Sequence, residues 1–211
     1  MSKQAELDKL KAEMEQDQSL PLETNLVFGE GSLDCEILFI GEAPGMNEDR
    51  EKRPFVGRAG QLLRKQIRAL GWKEDDVYIT NIVKRRPPEN RDPSPEEIES
   101  YKPYLARQIE IISPKIIVPL GRFSMNYFLP LAKITRDQGK LFKAEGHYIV
   151  PMLHPAAALR GNENMAMFVN TFTRLPKAIE KVKGGNFDES AEPTQISQKQ
   201  KKTEDVQSKL F

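Results

Sequence analysis

Apolar runs that end in glycine- or proline-bounded turns alternate with amphipathic segments along most of this chain. A short, continuous apolar run predicts a buried strand, and the alternation of strands with helices is typical of an α/β fold with a parallel sheet. We predict strands at residues 26–28, 36–40, 77–83, 115–120, 141–142 and 148–150.

Apolar residues at helical spacing predict helices between these strands, at residues 2–16, 62–70, 95–112, 123–129 and 165–182. The helix at 95–112 has the clearest start, because Ser94 is an N-cap residue, Pro95 suits the first helical position and Glu97 completes a capping box. Pro176 predicts a kink or a break in the last helix.

The composition divides the chain into one domain and a tail. Residues 1–183 carry the periodic pattern, whereas residues 184–211 are mostly polar and predict a disordered tail. No apolar run approaches the ~18 residues of a membrane span, and the N-terminus lacks the apolar core of a signal peptide. The single cysteine, Cys35, allows neither an internal disulfide nor a cysteine-built metal site. We therefore expect a cytoplasmic protein.

Positive charge is concentrated in one stretch, although the net charge is only +1. Residues 50–91 contain twelve Lys or Arg against five Asp or Glu, an excess of seven. Such a segment either follows the phosphates of a nucleic acid or is simply a solvated charged face.

Polar side chains follow the predicted strands at their carboxyl ends, which is where open α/β sheets bind ligands. These loops supply a carboxylate from Glu42, an aromatic ring from Phe55, a carboxamide from Asn81 and an imidazole from His154. Asn81 is suited to the edge of a flat heterocycle, and a neutral His154 to a developing anion. Structural roles stay open, because Asn81, Glu42 and Glu48 are also suited to capping backbone amides, and His154 to the core.

Four segments in combination resemble the motifs of the family 4 uracil-DNA glycosylases over roughly residues 5–182. They are GEAPG at 41–45, RPFVGRAGQL at 53–62, YITNIVK at 78–84 and HPAA at 154–157. The resemblance implies a three-layer α/β/α fold with a central four-stranded parallel sheet. It also implies hydrolysis of the N-glycosidic bond of deoxyuridine in DNA, which releases uracil and leaves an abasic site.

The resemblance also implies a role for each motif residue. Phe55 would stack on a flipped uracil, Asn81 would bond its Watson–Crick edge and Glu48 would exclude the methyl group of thymine. His154 would stabilise negative charge on uracil O2. The remaining assignments are Gly41 and Ala43 in the uracil pocket, Lys84, Arg85, Arg86 and Arg58 on DNA phosphates, and Leu159 or Arg160 in the gap that the flipped base leaves.

Activation of water is the open role. The best-known glycosylases of the superfamily have an Asp one position after the equivalent of Glu42, and that position here is Ala43. Glu42 either orients or deprotonates the water, or the leaving group departs with little assistance from a base. Two other functions remain: a protein that binds uracil or abasic DNA without turnover, and a nucleotide-handling α/β hydrolase unrelated to DNA.

Cofactor and partners complete the expectations. Family members usually hold a four-iron–four-sulfur cluster on four cysteines, and the corresponding positions here are Asp17, Leu20, Arg85 and Tyr101. We therefore predict that the protein holds neither a cofactor nor a metal. We also expect a monomer.

The chain ends in Gln-Ser-Lys-Leu-Phe, which resembles the peptide by which bacterial repair proteins bind the sliding clamp. Its anchors would be Gln207, Leu210 and Phe211.

Overall fold

The computed structural model describes residues 1–144 and 146–185 of the chain. Within these ranges six strands form one sheet, in the order β1-β3-β2-β4-β6-β5. The strands are β1 (Glu30–Gly31), β2 (Ile37–Gly41), β3 (Tyr78–Asn81), β4 (Ile116–Pro119), β5 (Phe142–Ala144) and β6 (His147–Ile149). Gln207, Leu210 and Phe211 lie outside the described residues.

The sheet is mixed. Strand β2 pairs in parallel with β3 and β4, and β4 pairs in parallel with β6, whereas the edge strands β1 and β5 run antiparallel to their neighbours. The sheet therefore has six strands, whereas the resemblance implied a central four-stranded parallel sheet. Strand β1 is only two residues long, and residues 26–28, which we predicted as a strand, are buried without forming one. Strands β5 and β6 are adjacent in the chain, so a short turn joins them as an antiparallel pair.

Eight α-helices occur in the described ranges: α1 (Lys3–Gln16), α2 (Met46–Glu51), α3 (Arg58–Ala69), α4 (Pro95–Ile112), α5 (Arg122–Phe128), α6 (Ile134–Asp137), α7 (Pro155–Ala158) and α8 (Asn162–Lys183). Of the kink or break predicted at Pro176, the break is absent, since α8 continues through this residue. Buried Phe172, Leu175 and Ile179 pack this helix against the core on both sides of the proline. Helices α2, α6 and α7 were not predicted, because four to six residues are too few to display a helical period.

Helices cover both faces of the sheet. Successive residues of a strand point to opposite faces, so Leu38 and Ile40 pack with residues of α1 and α4, while Ile37 and Phe39 pack with residues of α3 and α8. The segments that follow the four parallel strands therefore meet at one edge of the sheet. No helix in the described part of the chain is long and apolar enough to cross a lipid bilayer.

Candidate active site

A pocket of about 640 Å³ opens at the carboxyl edge of the parallel strands. Its walls include a residue that follows or ends each of these strands: Glu42 after β2, Asn81 in β3, Gly121 after β4 and His154 after β6. Ala43, Glu48, Phe55 and Arg160 also line it. The structure thus brings together side chains that are more than 100 positions apart in the sequence.

Phe55 reaches the pocket from a tightly held loop between α2 and α3. Its backbone is left-handed, with φ of 53°, which is uncommon for a residue with a side chain. Arg64 holds the loop by donating hydrogen bonds to the carbonyls of Phe55, at 3.0 Å, and Pro54, at 2.9 Å. A side chain at Gly60 would overlap the backbone of Phe55. Strain of this kind persists where the surroundings enforce it, and here it fixes the ring in the wall of the pocket.

Glu48 fixes the same loop from the other side. Its Oε1 accepts hydrogen bonds from the backbone N–H groups of Val56, at 3.0 Å, and Gly57, at 2.8 Å. The capping role that the sequence left open is therefore present in the fold. Because Glu48 also lines the pocket, one carboxylate both borders the cavity and positions the segment that carries Phe55.

Asn81 and Phe55 crowd together over Gly41. Gly41 of β2 pairs with Asn81 of β3. A side chain at Gly41 would overlap both Asn81 Oδ1 and the ring of Phe55. The side chain of Asn81 is only 2% exposed and lines the pocket, yet its amide makes no hydrogen bond with the described residues. Because this amide is open to the pocket and has its donor and acceptor unpaired among the described residues, it is suited to bind a ligand.

His154 is held as a neutral imidazole. Its Nδ1 accepts a hydrogen bond from the backbone N–H of Ala156 at 3.2 Å, so the proton of the neutral ring is on Nε2. Burial, with a smaller contribution from Arg160, lowers the pKa of His154 to about 4. The ring lies 5.9 Å from that of Phe55 between centroids. His154 is thus an uncharged hydrogen-bond donor next to the ring of Phe55.

The carboxyl group of Glu42 has a raised pKa. Burial, and then the nearby negative charge of Asp92, raises the pKa of Glu42 to about 7, while Arg122 opposes the rise. Asp92 and Arg122 also line the pocket and approach each other to 3.9 Å. A carboxyl group with a pKa near neutrality can accept a proton and release it again at that pH.

The sequence of residues 28–180 matches the model of the uracil DNA glycosylase superfamily. The chain belongs to this superfamily. It is 52% identical over 146 residues to the Type-4 uracil-DNA glycosylase of Sulfurisphaera tokodaii, a match that covers 64% of this chain and 66% of that protein. It is 40% identical over 174 residues to the Type-4 uracil-DNA glycosylase of Archaeoglobus fulgidus, which covers 78% of this chain and 87% of that protein.

The four positions to which we assigned the cluster cysteines of the resembled family are engaged in other contacts. The hydroxyl of buried Tyr101 donates to the carbonyl of Pro21 at 2.7 Å, and the guanidinium of Arg85 donates to the carbonyl of Thr24. Asp17 accepts hydrogen bonds from Ser19 and Tyr104, while Leu20 packs against the core. None of these four side chains is a thiolate, so the residues do not fit an iron–sulfur cluster.

One residue that we assigned to DNA phosphates lies where no phosphate can reach it, and a second is engaged in a contact within the chain. Lys84 is 0% exposed, and its Nζ donates to Thr80 Oγ1 and Gln108 Oε1 inside the fold. Arg85 is partly buried and directed to the carbonyl of Thr24. The sequence suggested an exposed basic loop after β3, but the side chain of Lys84, the first cation of this segment, is buried in the fold.

The other assigned DNA residues are on the surface. Arg58 and Arg160 are exposed and form no ion pair with a described residue, and Arg86 donates to Asn90 Oδ1. Leu159 is 42% exposed although it is apolar. Arg160 lines the pocket, so the loop that carries both Leu159 and Arg160 borders its mouth.

Sequence reasoning missed Arg64, Asp92 and Arg122. Arg64 lies beside Leu63 in an amphipathic helix and resembles a solvated residue until Glu30 and Glu74 are placed next to it. Asp92 comes from a loop and Arg122 from the first position of α5, and the only signal for Arg122 was its position directly after a strand and a glycine.

Proposed function

We propose that this protein is a uracil-DNA glycosylase of the type-4 kind, which flips deoxyuridine out of DNA and hydrolyses its N-glycosidic bond. In this reaction the bond between sugar C1′ and uracil N1 breaks, and its electron pair leaves with the uracil. Water adds its oxygen to C1′ and loses a proton. The products are uracil and an abasic site, and the reaction belongs to base-excision repair. Membership of the superfamily and the similarity to proteins named Type-4 uracil-DNA glycosylase support this function.

The observation that carries the proposal is the amide of Asn81, which lines the pocket and makes no hydrogen bond with a described residue, although the residue as a whole is only 2% exposed. An amide presents a donor and an acceptor side by side, as does the Watson–Crick edge of uracil. A flipped uracil would pair with the amide and stack on Phe55. Unstacking a base costs a few kcal/mol, and such contacts offset that cost.

His154 and Glu42 would act on the two charges that the reaction creates. The leaving uracil carries negative charge, and the Nε2–H group of neutral His154 is a suitable donor to O2. Glu42, with its pKa near 7, would orient the water and accept its proton, and its negative charge would also stabilise positive charge on the sugar. Neither step requires an Asp at position 43.

Glu48 would exclude thymine through its place in the pocket wall. A carboxylate that also bonds two backbone N–H groups has little freedom to move away from a 5-methyl group. We propose that discrimination between uracil and thymine depends on the rigidity of the Glu48 side chain as well as on the space that it occupies in the pocket.

We propose that four exposed or partly exposed cations contact DNA phosphates: Arg122 and Arg160, which line the pocket, and Arg58 and Arg86. Leu159 would enter the space that the flipped nucleotide leaves, because an exposed apolar side chain at the mouth of a base pocket can fill that gap. A protein that acted only on free nucleotides would not need it.

One assay tests the function against binding without turnover. A labelled oligonucleotide with a single uracil is incubated with the protein and then treated with alkali, which cleaves the strand at an abasic site. We expect strand scission that is absent from the matched oligonucleotide with thymine. Binding of the uracil oligonucleotide without scission would favour the non-catalytic alternative.

We also propose that the protein works as a cytoplasmic monomer without an iron–sulfur cluster. The single cysteine and the side chains at the four cluster positions support the absence of a cluster. Recruitment to a bacterial sliding clamp through Gln207, Leu210 and Phe211 rests on the sequence of the last five residues alone.

A further inference from the structure

Lys84 is a fully buried lysine that the proposed reaction does not use. Its side chain is among the largest with no exposure to solvent, and no carboxylate of the described residues pairs with it. Burial alone lowers the pKa of Lys84 well below its usual range, because a low-polarity interior disfavours the charged amine. Burying an amine in this way is costly unless its hydrogen bonds are well made.

The amine of Lys84 is the centre of a closed hydrogen-bond network. Its Nζ donates to Thr80 Oγ1 at 2.5 Å and to Gln108 Oε1 at 2.6 Å. The hydroxyl of Thr80 in turn donates to the carbonyl of Phe28 at 2.8 Å, and the amide of Gln108 donates to the same carbonyl at 3.1 Å and to Tyr78 Oη at 3.3 Å. Strand β3, helix α4 and the segment before β1 are thus joined through one nitrogen atom.

This network lies on the opposite face of the sheet from the pocket. Thr80 and Asn81 are neighbours in β3, so their side chains point to opposite faces, with Thr80 toward Lys84 and Asn81 toward the pocket. The amine therefore contacts the active-site strand from behind and has no route to a substrate.

The backbone between Thr80 and Lys84 also holds the loop that carries Glu42. The N–H groups of Ile82 and Val83 donate to the carbonyls of Gly41 and Glu42, each at 3.0 Å. The side chain of Lys84 folds back onto Thr80 and closes this five-residue bend. Both Asn81 and Glu42 are consequently fixed by the same short segment.

We propose that Lys84 is a positioning residue, which locks the bend after β3 and so sets the places of Asn81 and Glu42 in the pocket. This inference rests on the proposed glycosylase function and deepens it, since it assigns to a basic motif residue a role in geometry instead of DNA binding. Small displacements of reacting groups are expensive: a shift of about 1 Å can cost ~10²-fold in rate.

The test compares Lys84→Met with the unaltered full-length protein under single-turnover conditions. Methionine keeps an unbranched side chain of similar length but cannot donate to Thr80 or Gln108. We expect the rate of uracil release to fall about ten- to a hundredfold. The Kd for uracil-containing DNA and its dependence on salt should stay within about twofold, since a buried amine contacts no phosphate.

Two further variants keep the test decisive if Lys84→Met does not fold. Thr80→Val preserves shape and strand preference but removes the acceptor for Lys84, so its rate should fall in the same way. Thr80→Ser keeps the hydroxyl and should retain the rate. Equal rates for Thr80→Val and Thr80→Ser in folded protein would overturn the inference.

Hydrogen exchange gives a readout that does not depend on catalysis. In Lys84→Met and Thr80→Val, the backbone amides of Ile82 and Val83 should exchange faster than in the unaltered protein. If the unaltered protein releases no uracil, the proposed function fails while this measurement still judges the role of Lys84. Unchanged exchange, or a weaker Kd with a smaller salt dependence for Lys84→Met, would overturn the positioning role.

Discussion

His154 Nδ1 accepts a hydrogen bond from the backbone N–H of Ala156, two residues further along the chain. This contact selects the ring tautomer with its proton on Nε2 and leaves that proton for a ligand. A histidine with a pKa of about 4 stays neutral throughout the physiological range. It is therefore a hydrogen-bond donor and not a source of charge.

Replacing His154 with alanine should lower the rate of uracil release by ~10²–10³, because one donor to a developing anion is typically worth that much. Asn81→Ala should have a similar effect. DNA affinity should change little in both variants, since it comes mostly from phosphate contacts. Single-turnover excision and fluorescence anisotropy with the same oligonucleotide separate the two effects. Full excision rates in both variants would show that the site is assigned wrongly.

The excision rate should rise as the pH rises through about 7 and become constant above it, because a base must be ionised and the pKa of Glu42 is raised to about 7. Asp92→Asn removes a negative charge that disfavours ionisation, so the rise should move to lower pH. Arg122→Gln removes the opposing positive charge and should move it to higher pH. Single-turnover rates between about pH 5 and 9 give the three profiles.

Glu42→Gln identifies the group that causes this pH dependence. The variant keeps the size of the side chain and loses the base, so the rate should fall by ~10²–10⁴ and the rise near pH 7 should disappear. Unchanged activity would mean that the water needs no carboxylate at this position and that the leaving group departs without a base.

Glu48→Ala should allow excision of bulkier 5-substituted pyrimidines and should also lower the rate on uracil. The first effect comes from space in the pocket, and the second from the loss of two hydrogen bonds to the Phe55 loop, each worth about 1 kcal/mol. Glu48→Gln is the matched control, since its amide oxygen still accepts from Val56 and Gly57 and should preserve the uracil rate. If Glu48→Ala has no detectable activity on a 5-substituted base, Glu48 does not exclude it.

Purified protein should be colourless and contain no stoichiometric iron, because Asp17, Leu20, Arg85 and Tyr101 offer no thiolate at the cluster positions. Prolonged treatment with an iron chelator should leave both the melting temperature and the excision rate unchanged. Iron analysis together with a visible spectrum checks this prediction. About four irons per chain with broad visible absorbance would contradict it.

Deleting residues 207–211 should abolish binding to a bacterial sliding clamp and leave excision on short oligonucleotides unchanged. A peptide of five residues orders few groups when it binds and makes few contacts, so a weak affinity is expected. Leu210→Ala with Phe211→Ala is the control that keeps the chain length. The measurement is fluorescence anisotropy with labelled clamp, and absence of binding by the intact protein at tens of micromolar would contradict the prediction.

The main strands and helices were predictable because each is long enough to display a period. Strands β2, β3 and β4 and helices α1 and α4 lie within or close to the predicted ranges. The convergence of Glu42, Asn81 and His154 was also predictable, since the carboxyl ends of parallel strands share one edge of a sheet. A two-residue strand such as β1 carries no such signal, and neither do single helical turns such as α6 and α7.

The burial of Lys84 was not predictable, because it depends on Gln108, which is 24 positions away and comes near only when α4 packs on the sheet. The left-handed backbone of Phe55 was equally hidden. It results from the hydrogen bonds that Arg64 and Glu48 make with this loop and from the close approach of Gly60. The burial of Lys84 depends on a contact between separate elements and the backbone of Phe55 on contacts between one loop and the two helices that flank it, and the pattern of apolar residues contains neither.

Several cations of residues 50–91 already pair with carboxylates of this chain. Carboxylates pair with Arg53, Arg64, Arg68 and Arg91. These arginines displace few counterions from DNA. The excess of seven positive charges therefore overstates the electrostatic affinity of the protein for a duplex. A repair protein that holds undamaged DNA loosely leaves it quickly and can inspect many separate stretches, which suits a search for a rare base. The ion pairs of these arginines would in this way also shorten each unproductive encounter.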